Sequence, residues 1–411
     1  MIDCSQDGTF EVHCQSFSSN PVQYFTLSSF DRVDPPTSFR AIRLLPTPAG
    51  SIPLYEKKVK GKGGRGLFTI RPMSKGDLII IEKPYLVLPL TEDGEEPDNK
   101  VYHKLYLNLS LEHKRIFDGL YERKDDLADK DHIVNKIDTN AIPLAQTSQD
   151  GSVVMKKMGL FEVISRVNHG CKPNAGWYWY GEEKEMRLYA YTDIPAHAEI
   201  TCSYLSYEQL LEPSSIRRSI LLDGFGFECI CKGCNPSSID ILKSDNRLIE
   251  LESLRNEWSN KNIVEYCKID DDVIKTLRKL NRSLKLLERE EKFNQLGEVY
   301  EKIFEVYAVH GSSDSSRLAA NEALNHFKAI MGEKEATKTW VARQSVDPTL
   351  YPLWNKLGMI HSDSVTEHQD ESEENEDDDE DKEKDMGEGG IGKVHRSRVS
   401  AHSRFCGYRV K

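Results

Sequence analysis

Apolar and polar residues follow two different patterns along this chain. Between residues 52 and 90, and again between 171 and 204, short apolar runs rich in β-branched and aromatic side chains are separated by glycine-containing turns. That arrangement is typical of strands. Beyond about residue 240, apolar residues recur every three or four positions, which is the spacing of one helix face. The pattern therefore predicts an α+β protein with a β-rich part followed by a helical part.

The first β-rich stretch begins with four glycines between residues 61 and 66. Strands are predicted at 67–70, 78–81 and 85–90, and a mostly polar helical insert follows at about 100–136. In the second stretch, apolar runs at 177–180 and 186–191 flank a polar segment, which predicts a hairpin.

Two leucine-rich stripes define the helical part. Each stripe has the spacing i, i+3, i+7 and i+10, which is typical of the buried face of a packed helix. A ligand-binding face is the alternative interpretation of the same spacing. The stripes are formed by Leu277, Leu280, Leu284 and Leu287, and by Leu296, Val299, Ile303 and Val306.

These patterns divide the chain into four segments. Residues 1–50 are rich in serine, proline and glutamine and are predicted to form a loosely ordered arm. Residues 51–236 form the β-rich unit, and residues 237–360 form a helical domain. Residues 361–411 have a low apolar content, which is typical of a disordered tail.

The net negative charge of the chain corresponds to one acidic segment within that tail. The 411 residues include 55 Lys and Arg and 67 Asp and Glu, a net charge of −12, and residues 367–388 alone carry 14 acidic and two basic side chains. The rest of the chain is formally neutral, which excludes a protein that coats nucleic acid through a basic surface. We expect no direct nucleic-acid binding, and an acidic tail that contacts basic proteins.

The sequence contains no sign of secretion or of a membrane span. The longest aliphatic run covers residues 78–81, whereas a membrane helix requires about 20 apolar residues. The N-terminal residues lack the basic and apolar regions of a secretory signal. These features favour a nuclear or cytoplasmic protein, and the basic cluster at 393–398 is too sparse to indicate a nuclear signal.

A cysteine cluster is the strongest chemical signal. Cys229, Cys231 and Cys234 lie within six residues, in a chain whose nine cysteines do not resemble a disulfide framework. Zinc prefers four thiolate or imidazole ligands, so a fourth must come from elsewhere, and Cys171 is the best candidate. Buried free thiols are the alternative. The isolated cysteines are interpreted as structural: Cys4, Cys14, Cys202, Cys267 and Cys406.

Three further motifs are weak when taken singly. Asn168 and His169 put an amide and an imidazole on one short loop, but a surface turn would do the same. The glycine turn at 63–66 permits close approach of a ligand, and it also fits an ordinary turn. Tyr204 follows a β-rich run, where most tyrosines are packing residues.

The order of these four motifs resembles that of the SET-domain lysine methyltransferases. The likeness is narrower to the branch of SET- and MYND-domain enzymes, through the stretches 193–204 and 225–229. It covers about residues 52–235, with a weaker helical likeness to about 357. Two departures are visible: no cysteine lies between Cys14 and Cys171, so the MYND zinc finger is absent there, and Gly170 replaces the usual serine of the Asn-His-Ser-Cys motif.

The resemblance implies a β-rich SET fold, a zinc-bound post-SET segment and a helical C-terminal domain. It implies that S-adenosylmethionine is the cofactor, that zinc is a structural metal and that a lysine of a histone or non-histone protein is the substrate. A SET-like, zinc-stapled scaffold with little turnover is the alternative function.

The resemblance also assigns site residues. Tyr204 is the implied catalytic tyrosine, and Phe225 and Ile142 are the implied lysine-channel residues, with Ile142 standing where relatives often have an aromatic. The implied zinc ligands are Cys171, Cys229, Cys231 and Cys234. The implied cofactor pocket consists of Gly64, Arg65, Gly66, Asn168, His169, Tyr204 and Phe227.

Overall fold

The computed structural model describes residues 2–4, 10–12, 43–44, 51–59, 64–89, 98–123, 131–147, 153–235, 239–259, 261–268 and 272–358. Two compact units are present, residues 1–42 and residues 43–411. In the first unit, strands β1 (Ile2–Cys4) and β2 (Phe10–Val12) form an antiparallel pair. The predicted tail at 361–411 and most of the predicted arm at 1–50 lie outside the described residues.

A five-stranded sheet brings distant sequence motifs together. It consists of β3 (Arg43–Leu44), β4 (Leu54–Lys58), β5 (Arg65–Thr69), β10 (Asn168–His169) and β13 (Glu199–Cys202), in the order β10-β13-β5-β4-β3. The short strand β10 runs parallel to β13, with Asn168 opposite Thr201 and His169 opposite Cys202. The pairing places the Asn-His loop, the segment before Tyr204 and the glycine turn on neighbouring strands.

Two three-stranded sheets complete the β-rich part. One contains β6 (Leu78–Glu82), β11 (Ala175–Tyr180) and β12 (Glu185–Ala190), and β11 and β12 form the hairpin predicted from the two apolar runs that flank a polar segment. The other contains β7 (Leu86–Pro89), β8 (Ile142–Thr147) and β9 (Val153–Leu160). The five-stranded sheet and the sheet of β6, β11 and β12 share one apolar core, which includes Leu67, Ile80, Leu188 and Ile200.

The helical insert contains three short helices, α1 (Asn99–Leu107), α2 (Leu111–Asp118) and α3 (His132–Asn140). Each begins at a side-chain cap, because Asp98, Ser110 and Asp131 accept hydrogen bonds from backbone N–H groups of the first turn. Their apolar faces pack against β7 and β9 in a separate core. Helix α3 extends four residues beyond the predicted insert, and its last residue lies at the candidate site.

Seven helices follow the strands within the described part of the chain. They are α4 (Ser214–Phe225), α5 (Asp240–Ser259), α6 (Ile263–Cys267), α7 (Val273–Arg289), α8 (Leu296–Val309), α9 (Ser313–Ala336) and α10 (Trp340–Gln344). Both predicted leucine-rich stripes face the helical core, on α7 and α8. The packing role of these stripes is confirmed, and with it the predicted α+β class.

Helix α9 packs against the β11–β12 hairpin. The Tyr180 hydroxyl donates a hydrogen bond to the carbonyl of Met331 at 2.5 Å. Gly332 has a φ of 78°, and a Cβ atom there would lie 2.4 Å from the Tyr189 hydroxyl. Both the positive φ and the close approach therefore require glycine. No helix in the described ranges combines the length and the apolar character that crossing a membrane demands.

Candidate functional site

Four cysteine side chains from two distant segments converge. Cys171 follows β10, whereas Cys229, Cys231 and Cys234 follow α4, and the four Sγ atoms lie within 4.8 Å of one another. Around a zinc ion with Zn–S bonds of about 2.3 Å, tetrahedral geometry places sulfur atoms roughly 3.8 Å apart. The four thiols therefore have the donor type, number and spacing of a structural zinc site.

Hydrogen bonds within the cluster distribute the acidity of the thiols unevenly. Side-chain hydrogen bonds with its three neighbours lower the pKa of Cys231, whereas the corresponding bonds raise the pKa of Cys171. One thiolate is thus stabilised, but four thiolates in this buried space would repel one another. A divalent cation removes that conflict because coordinated thiols ionise on the metal.

His169 connects the cysteine cluster to Tyr204. The backbone N–H of Tyr204 donates to His169 Nδ1 at 2.9 Å, and His169 Nε2 lies 3.2 Å from Cys171 Sγ. Since Nδ1 accepts, the ring proton of the neutral imidazole is on Nε2 and is donated to the sulfur. The buried ring therefore fixes the position of the Cys171 loop relative to the end of β13.

A cavity of about 560 Å³ lies between the glycine turn, the helical insert and the cysteine loop. This volume is within the usual range for small-molecule sites. Seven of the nine residues assigned from the sequence to the cofactor pocket or the lysine channel line it: Gly64, Arg65, Asn168, His169, Tyr204, Phe225 and Phe227. Cys229 and Cys231 also line the cavity, so the cysteine cluster and the cavity are contiguous.

Gly66 shapes the cavity although it does not line it. The Asn168 amide Nδ2 donates to the Arg65 carbonyl at 3.0 Å and to Glu199 Oε1 at 2.8 Å. A Cβ atom on Gly66 would lie 2.7 Å from Asn168 Nδ2 and 2.5 Å from Glu199 Oε1. Glycine at this position therefore allows Asn168 to reach the glycine turn.

The cavity has a charged end that the sequence motifs did not identify. Glu56 is buried, and its carboxylate lies 3.0 Å from Arg65 Nε and 3.6 Å from Arg166 Nη1. Arg166 also donates to the carbonyls of Glu162 and Gly119 at 2.7 and 3.1 Å. Fixed charges of both signs therefore stand on one wall. The sequence signal that could have indicated a role for Arg166 is its position in a largely apolar run, residues 160–167.

Glu82 fixes the 3₁₀ turn that carries Arg166. Its buried carboxylate accepts hydrogen bonds from the backbone N–H groups of Glu162, Val163 and Ile164. Burial raises the pKa of Glu82 to about 7, against the opposing effect of these three donors. The position of the Arg166 guanidinium thus depends on a strand residue 84 positions earlier in the chain.

A narrow apolar passage of about 20 Å³ adjoins the cavity. The passage is mostly apolar, with Ile142, Val167 and Trp177 in its lining. The two spaces share five residues: Thr139, Asn140, Ser165, Tyr204 and Phe225. Ile142 and Phe225, assigned from the sequence to a substrate channel, therefore lie on the same passage. Trp177 on β11 supplies an aromatic wall that sequence reasoning missed.

Tyr204 stands where the polar cavity meets the apolar passage. Its hydroxyl donates to the Val167 carbonyl at 2.6 Å, and its ring centroid lies 5.0 Å from that of Phe225. Burial raises the pKa of Tyr204, so the side chain is a neutral phenol at physiological pH. The hydroxyl can position a group, and it is poorly suited to remove a proton.

Gly226 places the two phenylalanines beside the tyrosine. It ends α4 with a φ of 71°, a conformation that glycine adopts readily. The Phe225 and Phe227 centroids lie 5.0 and 6.3 Å from that of Tyr204. The aromatic cluster and the cysteine ligands are thus both positioned by the end of this helix.

Comparison with known proteins agrees with this arrangement. The SET domain family matches residues 64–205. A histone-lysine N-methyltransferase, set5, of Schizosaccharomyces pombe is 23% identical over 198 residues, 48% of this chain and 59% of that protein. The N-lysine methyltransferase SMYD2-B of Danio rerio is 35% identical over 101 residues, covering 25% of this chain and 22% of the relative. The human histone-lysine N-methyltransferase SMYD3 is 31% identical over 121 residues, 27% of each chain.

Over residues 64–205 the chain therefore resembles the SET-domain class of proteins. Within that class it resembles the SET5 proteins and the SET- and MYND-domain branch, and the lysine methyltransferase resemblance of its motifs is confirmed. The matched regions span 59% of the fission yeast relative and about a quarter of the two SMYD proteins.

Proposed function

We propose that this protein is a lysine methyltransferase that transfers a methyl group from S-adenosylmethionine to a lysine side chain of a protein. The observation that carries the proposal is the position of the Tyr204 hydroxyl, at the junction of a charged cavity and a narrow apolar passage. A zwitterionic cofactor suits the first space, and a lysine side chain suits the second. The SET domain match and the names of the relatives support the same reaction.

The cavity residues fit this cofactor. S-adenosylmethionine supplies an electrophilic methyl group when it is bound. Glu56 and Arg166 offer opposite charges to the ammonium and carboxylate of its amino-acid end, and Gly64 gives access to backbone polar groups. Phe227 offers an aromatic face for the adenine. Asn168 holds the glycine turn through the Arg65 carbonyl, and Gly66 permits that contact.

The passage residues prepare the lysine for transfer. Desolvation disfavours the ammonium form of a lysine, so a passage lined by Ile142, Phe225 and Trp177 favours the neutral amine that can act as nucleophile. The Tyr204 hydroxyl donates a hydrogen bond to the Val167 carbonyl, and its oxygen can still accept a hydrogen bond from the amine. We infer that Tyr204 contributes by alignment, which is the main demand of an in-line displacement.

The four cysteines would hold a structural zinc ion. Cys171, Cys229, Cys231 and Cys234 provide a complete thiolate set, which leaves no open position for a catalytic metal. The metal would fix the loop that carries Phe227 to the loop that carries His169. Zinc binding would then build one wall of the cofactor cavity.

The substrate class is a protein that presents an accessible lysine, whether histone or non-histone. The acidic segment at 367–388 is proposed to attract basic protein partners, because its local charge is −12 while the rest of the chain is neutral.

A methyl-transfer assay tests the proposal. The full chain is incubated with methyl-labelled S-adenosylmethionine and a protein extract, and labelled residues are identified by mass spectrometry. We expect label on lysine side chains, absent with Tyr204→Phe. Cofactor binding without transfer to any protein would instead favour a SET-like scaffold.

A further inference from the structure

A lysine from the helical domain contacts the backbone of the Cys171 loop. Lys292 lies in the segment between α7 and α8, is 1% exposed, and donates from Nζ to the Cys171 carbonyl at 2.6 Å. The two residues are 121 positions apart in the sequence. Burying an ammonium is costly unless it is compensated by hydrogen bonds and nearby negative charge, so this contact calls for an explanation.

Glu290, two positions before Lys292, forms an ion pair with the same loop. Glu290 is fully buried, and its carboxylate lies 3.1 Å from Lys172 Nζ and 2.6 Å from Arg247 Nη2. The Ser244 hydroxyl donates to it at 2.6 Å. Arg247 and Ser244 both belong to α5, so the carboxylate joins the helical domain to the residue that follows Cys171.

Glu291, between Glu290 and Lys292, contacts the segment that supplies the other three cysteines. Glu291 forms an ion pair with Lys232, which lies between Cys231 and Cys234. Glu291 also has a φ of 54°, in the left-handed region that residues with a side chain seldom adopt. One strained turn, Glu290 to Lys292, therefore contacts both chain segments that supply the cysteines.

The charges around the cluster complement those of a metal–thiolate centre. Four thiolates around one divalent ion leave a net negative charge, and hydrogen-bond donors and cations nearby would stabilise it. Arg217, 1% exposed, donates to the Gly233 carbonyl at 2.5 Å and lies 3.6 Å from Cys234 Sγ. Lys292 and Lys172 add two further cations on the Cys171 side.

We propose that the turn formed by Glu290, Glu291 and Lys292, here called the clamp turn, is a positioning element that retains the metal. This proposal rests on the zinc site of the proposed function and extends it. The helical domain holds the two cysteine segments close enough for all four thiols to bind one zinc ion. Through the His169 bridge, the clamp turn also fixes where Tyr204 stands. The helical domain is thus a working part of the metal centre, beyond its packing role.

The test is the rate of zinc loss from the purified full chain to a chelating dye in excess. Lys292→Met is compared with the wild type and with Lys302→Met, a substitution of a mostly buried lysine that pairs with Glu305 within α8. We expect Lys292→Met to lose zinc about tenfold faster, since changing outer partners of metal ligands typically weakens binding by that order. Lys302→Met should stay within about twofold of the wild type, because the ion pair it removes lies within α8.

A second variant covers the case in which Lys292→Met does not fold. Lys172→Met removes the partner of Glu290 from the loop side, leaves Arg247 to neutralise the buried carboxylate, and should also release zinc several-fold faster. Thermal unfolding of each protein selects a temperature at which all are folded. Wild-type release rates in the folded clamp variants, or equal acceleration by Lys302→Met, would overturn the clamp while leaving the zinc site standing. A wild-type chain that binds no zinc would overturn both.

Discussion

The two spaces that meet at Tyr204 differ in volume and in the charges on their walls. The large cavity carries the buried charges of Glu56 and Arg166 and a polar backbone turn. The passage beside it is about 20 Å³ in volume, has no charged residue in its lining, and is mostly apolar through residues such as Ile142, Val167 and Trp177. Under the proposed function, this difference lets one site hold a charged cofactor and still disfavour the charged form of the substrate lysine.

The two spaces also depend on different parts of the chain. The charged end rests on β4, β5 and the 3₁₀ turn held by Glu82. The apolar end rests on β8, β11 and the end of α4. Changes can therefore be directed at one end while the other serves as the control, and the cysteine cluster supports both.

Loss of the metal should have the largest effect because it disturbs both ends. Cys231→Ser removes one thiolate from the cluster, and we expect metal content to fall from about one zinc per chain to near zero, with cofactor binding lost, since structural zinc contributes directly to folding. Metal analysis and calorimetric titration measure the two quantities.

Cys267→Ser is the matched control, because Cys267 is a buried cysteine in the helical core, away from the cluster. It should keep its zinc. Full zinc content in Cys231→Ser would show that the four thiols are not a metal site.

A change at the charged end should weaken cofactor binding selectively. Arg166→Met leaves Glu56 paired with Arg65 and should reduce affinity for S-adenosylmethionine about 10- to 100-fold, the value of one lost charged hydrogen bond. Isothermal titration measures the affinity. Arg187→Met, which removes a partly buried arginine paired with Glu185 on the hairpin, is the control. Unchanged affinity in Arg166→Met would show that the amino-acid end of the cofactor does not bind at this wall.

A change at the apolar end should alter the product instead. Trp177→Leu widens the passage, and we expect a higher degree of lysine methylation, with the ratio of products changed roughly tenfold or about 1.4 kcal/mol. Mass spectrometry of a methylated peptide gives the ratio. Affinity for the cofactor should stay within about twofold, since Trp177 does not line the charged end. An unchanged product ratio together with weakened cofactor binding would reverse the assignment of the two ends.

Protonation of His326, which lines neither the cavity nor the passage, should have the smallest effect, and that effect is on stability. Burial lowers the pKa of His326 to about 4 from an unfolded value of 6.5, with a contribution from Lys75, whose Nζ lies 3.4 Å from the ring. The unfolded chain thus binds more protons between these values, so the stability contributed by neutral His326 is complete above pH 6.5 and is lost as pH falls through 4.

Because the ring is partly exposed, we expect a loss on the order of 1–2 kcal/mol. Unfolding of the wild type and of His326→Gln at pH 7 and pH 4.5 measures it, and the variant should show the smaller decrease. Equal decreases would assign the acid sensitivity to other groups.

The sequence predicted local features more fully than distant contacts. The leucine spacing at 277–287 and 296–306 predicted two packed helices because a helix face is set by near neighbours in the chain. The cysteine spacing and the SET-like motifs indicated which residues to bring together. Glu56, Arg166 and Trp177 carried no spacing signal, since their roles depend on strands that pair only in the folded protein.

The same limit applies to the clamp turn. Lys292 and Glu290 follow a polar helix end and resemble surface residues in the sequence, yet both are buried against the Cys171 loop. Nothing in the local pattern distinguishes them from exposed neighbours, because their environment comes from a contact across more than 100 residues. Gly66, in contrast, was assigned to the cofactor pocket, and the structure places it behind the wall, where its lack of a side chain admits Asn168.

The measurement that tests the central claim most directly compares binding and transfer in Tyr204→Phe. This change removes one oxygen at the junction and leaves the aromatic packing with Phe225 and Phe227. We predict that affinity for S-adenosylmethionine stays within about threefold while the single-turnover rate of methyl transfer to lysine falls about 100-fold or more, as expected for a group that aligns the reacting atoms. Equal transfer rates in the two proteins would contradict the assignment of Tyr204 and of the junction as the place of reaction.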